Sequence, residues 1–214
     1  MGALGVEHAE ADMAVAALGE YLVLAERGLS QGQEVLGYAT AALLFAFVDA
    51  LGSYHRGGPL TVTVDGGAVS ITSLEHHVRI LNAPYFDLKL SGECLRRIYR
   101  TCRSPLTHNG LVGVGIALFP GGEGGLAVEP VNGLLFVRLR ELLAACTNAL
   151  AAFRAESHQL IPQSVAIREL RELEAPYERQ LIKAIAAVKQ LGPFESLQAS
   201  ALAPSSQQLR WRPT

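Results

Sequence analysis

Cysteine is scarce in this chain, and its three cysteines follow no pattern that would stabilise a small fold. Cys94, Cys102 and Cys146 are too few and too scattered to form a disulfide framework. The sequence contains no Cys-x-x-Cys pair and therefore lacks the usual ligands of a structural zinc site. It predicts mostly buried thiols in a reducing compartment, with no metal and no cofactor.

Charge is also sparse, since 18% of the residues are charged and the net charge is −2. This balance argues against a protein that coats nucleic acid through its overall charge, while leaving room for a local basic patch. Half of the 214 residues are hydrophobic, which argues against disorder throughout and allows one sizeable core. Glu75-His76-His77 does not supply a chelating pair, because neighbouring side chains on a helix point about 100° apart, so we expect solvated or capping residues there.

The N-terminus lacks the basic segment that begins a secretory signal peptide, so we expect a cytoplasmic protein. The most apolar run, Val35–Leu51, is interrupted by Asp49 and contains several small residues. A membrane span is therefore the second choice for this run. The first choice is a helix buried on nearly all sides of a soluble core, without membrane contact.

Periodicity and turn residues predict a mainly helical bundle with one or two short β-hairpins. One domain covers residues 1–192, and a tail rich in Ser, Ala, Pro and Gln covers 193–214. Apolar spacing predicts helices at Glu7–Arg27, Gln33–Tyr54, Glu75–Leu81, Val137–Ser157 and Val165–Gln190, and one that begins near Ser91. Alternation around Gly-rich turns predicts a hairpin at Leu60–Ile71, and either a second hairpin or a long loop from Leu111–Phe119 to Leu126–Val131.

The most informative segment is Leu95–Asn109, LRRIYRTCRSPLTHN, which predicts an arginine-rich helix followed by a tight turn. Arg96, Arg100 and Arg103 follow the i, i+4, i+7 spacing of one helical face. Together with Arg97, they form a basic patch that we expect to contact nucleic-acid phosphates. His108 follows Arg103 with four residues between them, and an imidazole can transfer protons near neutral pH.

Arg103-Ser104-Pro105-Leu106-Thr107-His108 resembles the Arg-x4-His motif of HEPN domains, with Tyr99 and Asn109 in its flanks. These small helical domains include many metal-independent ribonucleases, several of them toxins. The resemblance implies an endoribonuclease in which His108 transfers a proton and Arg103 stabilises charge on the scissile phosphate. It also implies a cleft at a homodimer interface and a possible partner protein such as an antitoxin. Ser104 stands where the motif often has Asn, Asp or His.

Asp49 and the apolar second helix leave further alternatives open. A buried acid needs a partner, so Asp49 either orients His108 or Arg103, or is a helix-end acid that is bonded to backbone groups or partly exposed. The second helix is apolar on both faces, which predicts a homodimer. The chain is then a ribonuclease, a non-catalytic HEPN-like module that binds RNA, a nucleotide or a protein, or a structural helical homodimer.

Overall fold

The structure is a computed structural model that describes residues 3–30, 37–103, 113–122 and 124–173, with the backbone alone for 3–8, 102 and 103. The chain divides into two compact units, residues 1–169 and 170–214. Of the second unit, residues 170–173 are described, and they are helical. The predicted tail at 193–214 and most of the helix predicted at Val165–Gln190 lie outside the described residues.

The described chain is mainly helical, as predicted. Its α-helices are α1 (Ala3–Ser30), α2 (Gly37–Tyr54), α3 (Gly92–Ile98), α4 (Leu139–Arg154) and α5 (Ser157–Gln163), followed by helical residues from 165. A 3₁₀ helix spans Leu74–Asn82, and a π-helical turn, Tyr99–Arg103, continues α3. Ser91 begins α3 as predicted, because its hydroxyl accepts a hydrogen bond from the Cys94 N–H.

The first predicted hairpin is confirmed. Strands β1 (Thr61–Val64) and β2 (Gly67–Ser70) pair in antiparallel register across a two-residue turn. Asp65 and Gly66 form that turn with φ angles of 51° and 80°, the positive values that a tight hairpin turn requires.

The second predicted hairpin is wrong in its pairing. Strands β3 (Ile116–Phe119) and β4 (Val128–Val131) do not pair with each other, because a third strand, β5 (Leu134–Arg138), lies between them. β5 pairs antiparallel with β4 across an Asn-Gly turn and parallel with β3. The helix predicted from Val137 therefore begins two residues later, and a break after Arg154 separates α4 from α5.

Helix α2 lies at the centre of the core, where α1 and the 3₁₀ helix pack against it. Its buried side chains include Leu44, Phe47 and Leu51. Among the described helices, α2 is the one long and apolar enough to cross a membrane, with a mean hydropathy of 1.2. α1 and the 3₁₀ helix pack against α2, and 44% of this apolar stretch is buried inside the protein.

Gly52 of α2 allows the 3₁₀ helix to lie directly against the α2 backbone. A Cβ atom at this position would come within 2.8 Å of the Cα and carbonyl carbon of His77, and still closer to its carbonyl oxygen. The contact places the 3₁₀ helix between α2 and α3, with His77, Val78, Ile80 and Leu81 buried. His76 and Arg79 of the 3₁₀ helix remain partly exposed.

Candidate nucleic-acid interface

A groove of about 340 Å³ separates the 3₁₀ helix from α3. The end of β1 contributes Val64 and Asp65 to its lining. The side chains that could contact a ligand are three arginines, one histidine and one tyrosine, contributed by the two helices: His76, Arg79, Arg96, Tyr99 and Arg100. The groove therefore combines guanidinium groups, which bind phosphate, with an imidazole, which can exchange a proton.

His76 and Arg79 enter the groove together because a 3₁₀ helix has three residues per turn, so that side chains three apart lie on the same row. Nδ1 of His76 lies 2.9 Å from the Thr72 hydroxyl, and Nη1 of Arg79 donates to the Ser70 carbonyl at 2.8 Å. Burial lowers the pKa of His76 below its usual value, and the neighbouring Arg79 guanidinium lowers it further. Both effects favour the neutral form of the imidazole.

Neither His76 nor Arg79 was predicted from the sequence to be a site residue. The expectation of solvated or capping histidines is wrong for His77, which is buried, while His76 is 24% exposed in the groove. The signal was present in the chain as a three-residue repeat of polar side chains, His76, Arg79 and Asn82. An α-helical period of 3.6 residues conceals that repeat.

Arg96 and Arg100 lie one turn apart on the exposed side of the arginine segment, and both line the groove. Arg96 donates to the Glu93 carboxylate at 2.6 Å, an exposed ion pair that contributes little to stability. Within the described residues, no hydrogen bond or ion pair holds Arg100. Its guanidinium is therefore the one best placed to receive a phosphate.

Arg97 takes a different position from its neighbours. Its Nη2 donates to the carbonyls of Gly115 and Gly133, each at 2.7 Å, and the side chain is partly buried. Gly115 precedes β3 and Gly133 precedes β5, so Arg97 ties α3 to the three-stranded sheet. This geometry gives Arg97 a role in folding in place of the nucleic-acid contact expected from the sequence.

The acidic side chains around the groove are used locally. The Asp65 carboxylate accepts from the Gly92 N–H at 3.1 Å and so binds the beginning of α3 to the first hairpin. Glu75 lies beside His76, with 3.9 Å between its carboxylate and Nε2 of the imidazole. Three arginines against these two carboxylates leave the lining with a net positive charge.

Arg103, the first residue of the Arg-x4-His sequence, belongs to the π-helical turn whose residues Tyr99 and Arg100 line the groove. The π-helical turn is wider than an α-helical turn and brings the backbone of Arg103 past Arg100. Gly113 returns to the same turn, because its N–H donates to the Thr101 carbonyl at 2.6 Å. The side chain of Arg103, and all of Ser104, His108 and Asn109, lie outside the described residues. Tyr99 is described and lines the groove.

Asp49 has a described partner in His77. Its carboxylate oxygen lies 3.2 Å from Nδ1 of the imidazole, and the two side chains are 21% and 3% exposed. The pair joins α2 to the 3₁₀ helix close to Gly52. Asp49 therefore positions the 3₁₀ helix that carries His76 and Arg79. The orienting role toward His108 or Arg103, one of the alternatives from the sequence, involves side chains outside the described residues.

Metal ligands and reactive thiols do not contribute to this groove in the part of the chain that is described. No group of three or more His, Cys, Asp or Glu side chains there could hold a metal ion. Cys146 is fully buried, and burial raises the pKa of its thiol, so the reactive thiolate is not formed at neutral pH. Cys94 is half-buried and forms no disulfide.

Comparison of the chain with protein-family models, curated proteins and solved structures finds no match. The resemblance to HEPN domains accordingly rests on the motif Arg103–His108 and its flanks. The groove geometry provides a separate argument, because it depends on residues that the motif does not include.

Proposed function

We propose that this protein is a metal-independent endoribonuclease of the HEPN type. It binds RNA in the groove between the 3₁₀ helix and α3, which we call the arginine groove. The observation that carries the proposal is the convergence of Arg79, Arg96 and Arg100 on one groove lined in part by the π-helical turn at which the motif begins. Guanidinium groups form paired hydrogen bonds with phosphate oxygens, and a row of them follows an RNA backbone.

The proposed reaction uses the ribose 2′-hydroxyl as nucleophile. The 2′-oxygen attacks the adjacent phosphorus, the bond from phosphorus to the 5′-oxygen breaks, and a 2′,3′-cyclic phosphate remains. His108 transfers the proton taken from the 2′-hydroxyl or the proton given to the leaving 5′-oxygen. Arg103 stabilises the charge that develops on the phosphate, and Arg100 holds the neighbouring phosphate in place.

We also propose that the active form is a homodimer in the cytoplasm, in which two Arg103–His108 pairs face one cleft. Exposed apolar side chains on α1 support an interface, since Met13 is 66% exposed and Val23 and Leu24 are 48% and 49% exposed. A stable interface would bury on the order of 2,000 Å² in total. A toxin-like nuclease would also have an inhibitory partner protein that covers the groove.

A second candidate is a non-catalytic HEPN-like module that binds RNA through the same groove. Ser104 favours it, because this position of the motif often carries Asn, Asp or His. The groove arginines bind phosphate in either case, so RNA binding alone does not separate the two candidates. In a purely structural homodimer, the third alternative, the groove would have no ligand.

The deciding experiment follows cleavage of labelled single-stranded RNA in the presence of EDTA. The wild type should cleave, and His108→Ala should lose about 10²- to 10⁴-fold in rate because the proton transfer is removed. The matched control is His158→Ala, which removes an exposed imidazole 2.7 Å from Asp12 and should leave the rate unchanged. A folded His108→Ala protein that cleaves at the wild-type rate refutes the mechanism. A wild type that binds RNA without cleaving it establishes the binding module.

A further inference from the structure

The three-stranded sheet carries an aromatic surface on its outer face. Along β5, Leu135 and Val137 are buried, whereas Leu134, Phe136 and Arg138 alternate with them and face outward. The register between β3 and β5 pairs Phe119 with Arg138, which places Phe119 on the same outer face. Phe119 is 51% exposed although it is a large apolar side chain. Leu134 on the same face is 42% exposed, so the outer face carries a patch of apolar side chains, a surface typical of interaction sites.

Phe119 and Phe136 together form one side of a hollow of about 390 Å³. Their ring centroids are 5.7 Å apart with an interplanar angle of 48°. Ala117 lies opposite Phe136 in the register, and its small side chain leaves the aromatic rings uncrowded. Arg138 lines the hollow as well, so a flat apolar surface and a positive charge occur side by side.

The rim of the hollow is held by α4. The Pro120 carbonyl accepts from the Arg140 N–H at 3.0 Å, and the Glu141 carboxylate accepts from the Gly122 N–H at 2.8 Å. Arg138 is also fixed, because its Nη1 donates to Glu129 at 2.8 Å. The hollow is therefore formed before any ligand arrives, which reduces the entropy lost on binding.

We propose that this hollow binds an unpaired nucleobase of the RNA strand, with the base stacked on the Phe119 ring. Exposed aromatic rings on an open sheet face are a general device for binding single-stranded RNA, because every base has a π-face. Nη1 of Arg138 is occupied by Glu129 and the Leu126 carbonyl, and the other N–H groups of its guanidinium donate to the phosphate of the same nucleotide. The inference rests on the proposed function, since it requires that the arginine groove bind RNA.

The sheet and the groove are connected closely enough for one strand to reach both. Arg97, next to Arg96 of the groove, donates to the Gly115 carbonyl at 2.7 Å. Phe119 follows Gly115 by four residues, which corresponds to about 13 Å along an extended strand. Successive phosphates of one duplex strand lie about 3.4 Å apart along the axis, so roughly four nucleotides at that spacing cover the path from the Gly115 carbonyl to Phe119.

The test measures the affinity of a short 2′-O-methyl oligonucleotide, which cannot be cleaved through its 2′-oxygen, and of its abasic counterpart. Phe119→Ala should weaken binding of the base-containing strand by about 5- to 150-fold, the range found for removal of a stacking ring, and Phe119→Tyr should restore it. Binding of the abasic strand should not change. The matched control Leu134→Ala removes an exposed apolar side chain from the same face and should have no effect.

A spectroscopic signal reports the stacking directly, because the chain contains one tryptophan, Trp211. In a Trp211→Phe, Phe119→Trp variant, the base-containing strand should quench the emission of the introduced indole and the abasic strand should not. If Arg100→Gln weakens RNA binding while Phe119→Ala does not, the stacking site is refuted and RNA binding by the groove, on which the proposed function depends, stands. If the wild type binds no RNA, both fail. If Phe119→Ala changes the oligomeric state in light scattering instead, the face is an interface between copies and the inference is overturned.

Discussion

Gly52→Ala tests whether the 3₁₀ helix lies on α2 as described. On an ordinary helix this change stabilises a protein by about 0.5–1 kcal/mol, because alanine has less backbone freedom to lose. Here the new Cβ would lie 2.8 Å from two backbone atoms of His77. Real Cβ contacts are essentially never this short, and the neighbour is backbone that cannot rotate away. The 3₁₀ helix would have to move outward and disturb its packing on α2.

Overpacking of a tight core lowers the free energy of unfolding by about 1–3 kcal/mol, and the higher helix propensity of alanine offsets part of this loss. The net cost is about 1 kcal/mol, which for a chain of this size lowers the Tm by roughly 2–4 °C. Thermal and urea unfolding by circular dichroism measure the change. RNA affinity should also fall, because the displaced helix carries His76 and Arg79 into the groove.

Gly19→Ala is the matched control for this experiment. Gly19 lies within α1, and a Cβ there would meet only the Cδ2 atom of Leu150, at 3.9 Å, an ordinary van der Waals contact. We expect this variant to be as stable as the wild type or slightly more stable. If Gly52→Ala unfolds at or above the wild-type temperature, the close contact between α2 and the 3₁₀ helix is refuted.

Two further predictions concern the buried imidazole of His55 and the partly buried guanidinium of Arg97. Burial lowers the pKa of His55 from 6.5 to about 4, so the unfolded chain binds a proton between these values that the folded protein does not bind. The free energy of unfolding is therefore highest above pH 6.5 and falls toward pH 4, by about 2 kcal/mol between pH 7 and pH 5. Urea unfolding at each pH should show a weaker pH dependence for His55→Phe than for the wild type. An unchanged pH dependence would exclude His55 as its source. Arg97→Met removes two hydrogen bonds from a charged donor to backbone carbonyls, and it should cost about 2–3 kcal/mol in urea unfolding. The exposed neighbour Arg96→Met should cost less than about 0.5 kcal/mol, and equal costs would contradict the structural role of Arg97.

Local patterns predicted the parts of the fold that local physics determines. Asp65-Gly66 between alternating strands predicted the first hairpin, and both residues adopt the positive φ angles of that turn. The apolar run that includes Asp49 predicted the core helix α2, where Asp49 pairs with His77. In both cases the decisive interactions are close in sequence or follow from the cost of burying a charge.

The errors arose where the period was unusual or the partner was distant. Leu135 and Val137 alternate as in a strand, and Asn132-Gly133 is a hairpin turn, but the parallel pairing of β5 with β3 joins segments far apart in the chain. Arg97 looked equivalent to its neighbours because its carbonyl partners come from that same distant sheet. His76 was missed because a 3₁₀ row repeats every three residues.

The salt dependence of RNA binding tests whether the groove arginines bind RNA phosphates, because it counts phosphate contacts. Each cation that contacts a single strand contributes about 0.7 to the slope of log Kd against log salt concentration. A triple Arg79→Gln, Arg96→Gln, Arg100→Gln variant should therefore bind uncleavable RNA more weakly, with a slope lower by about 2. The control removes three exposed arginines outside the groove lining: Arg27, Arg154 and Arg168. We expect the wild-type slope for the control, and a wild-type slope for the groove variant would contradict phosphate binding by these three arginines.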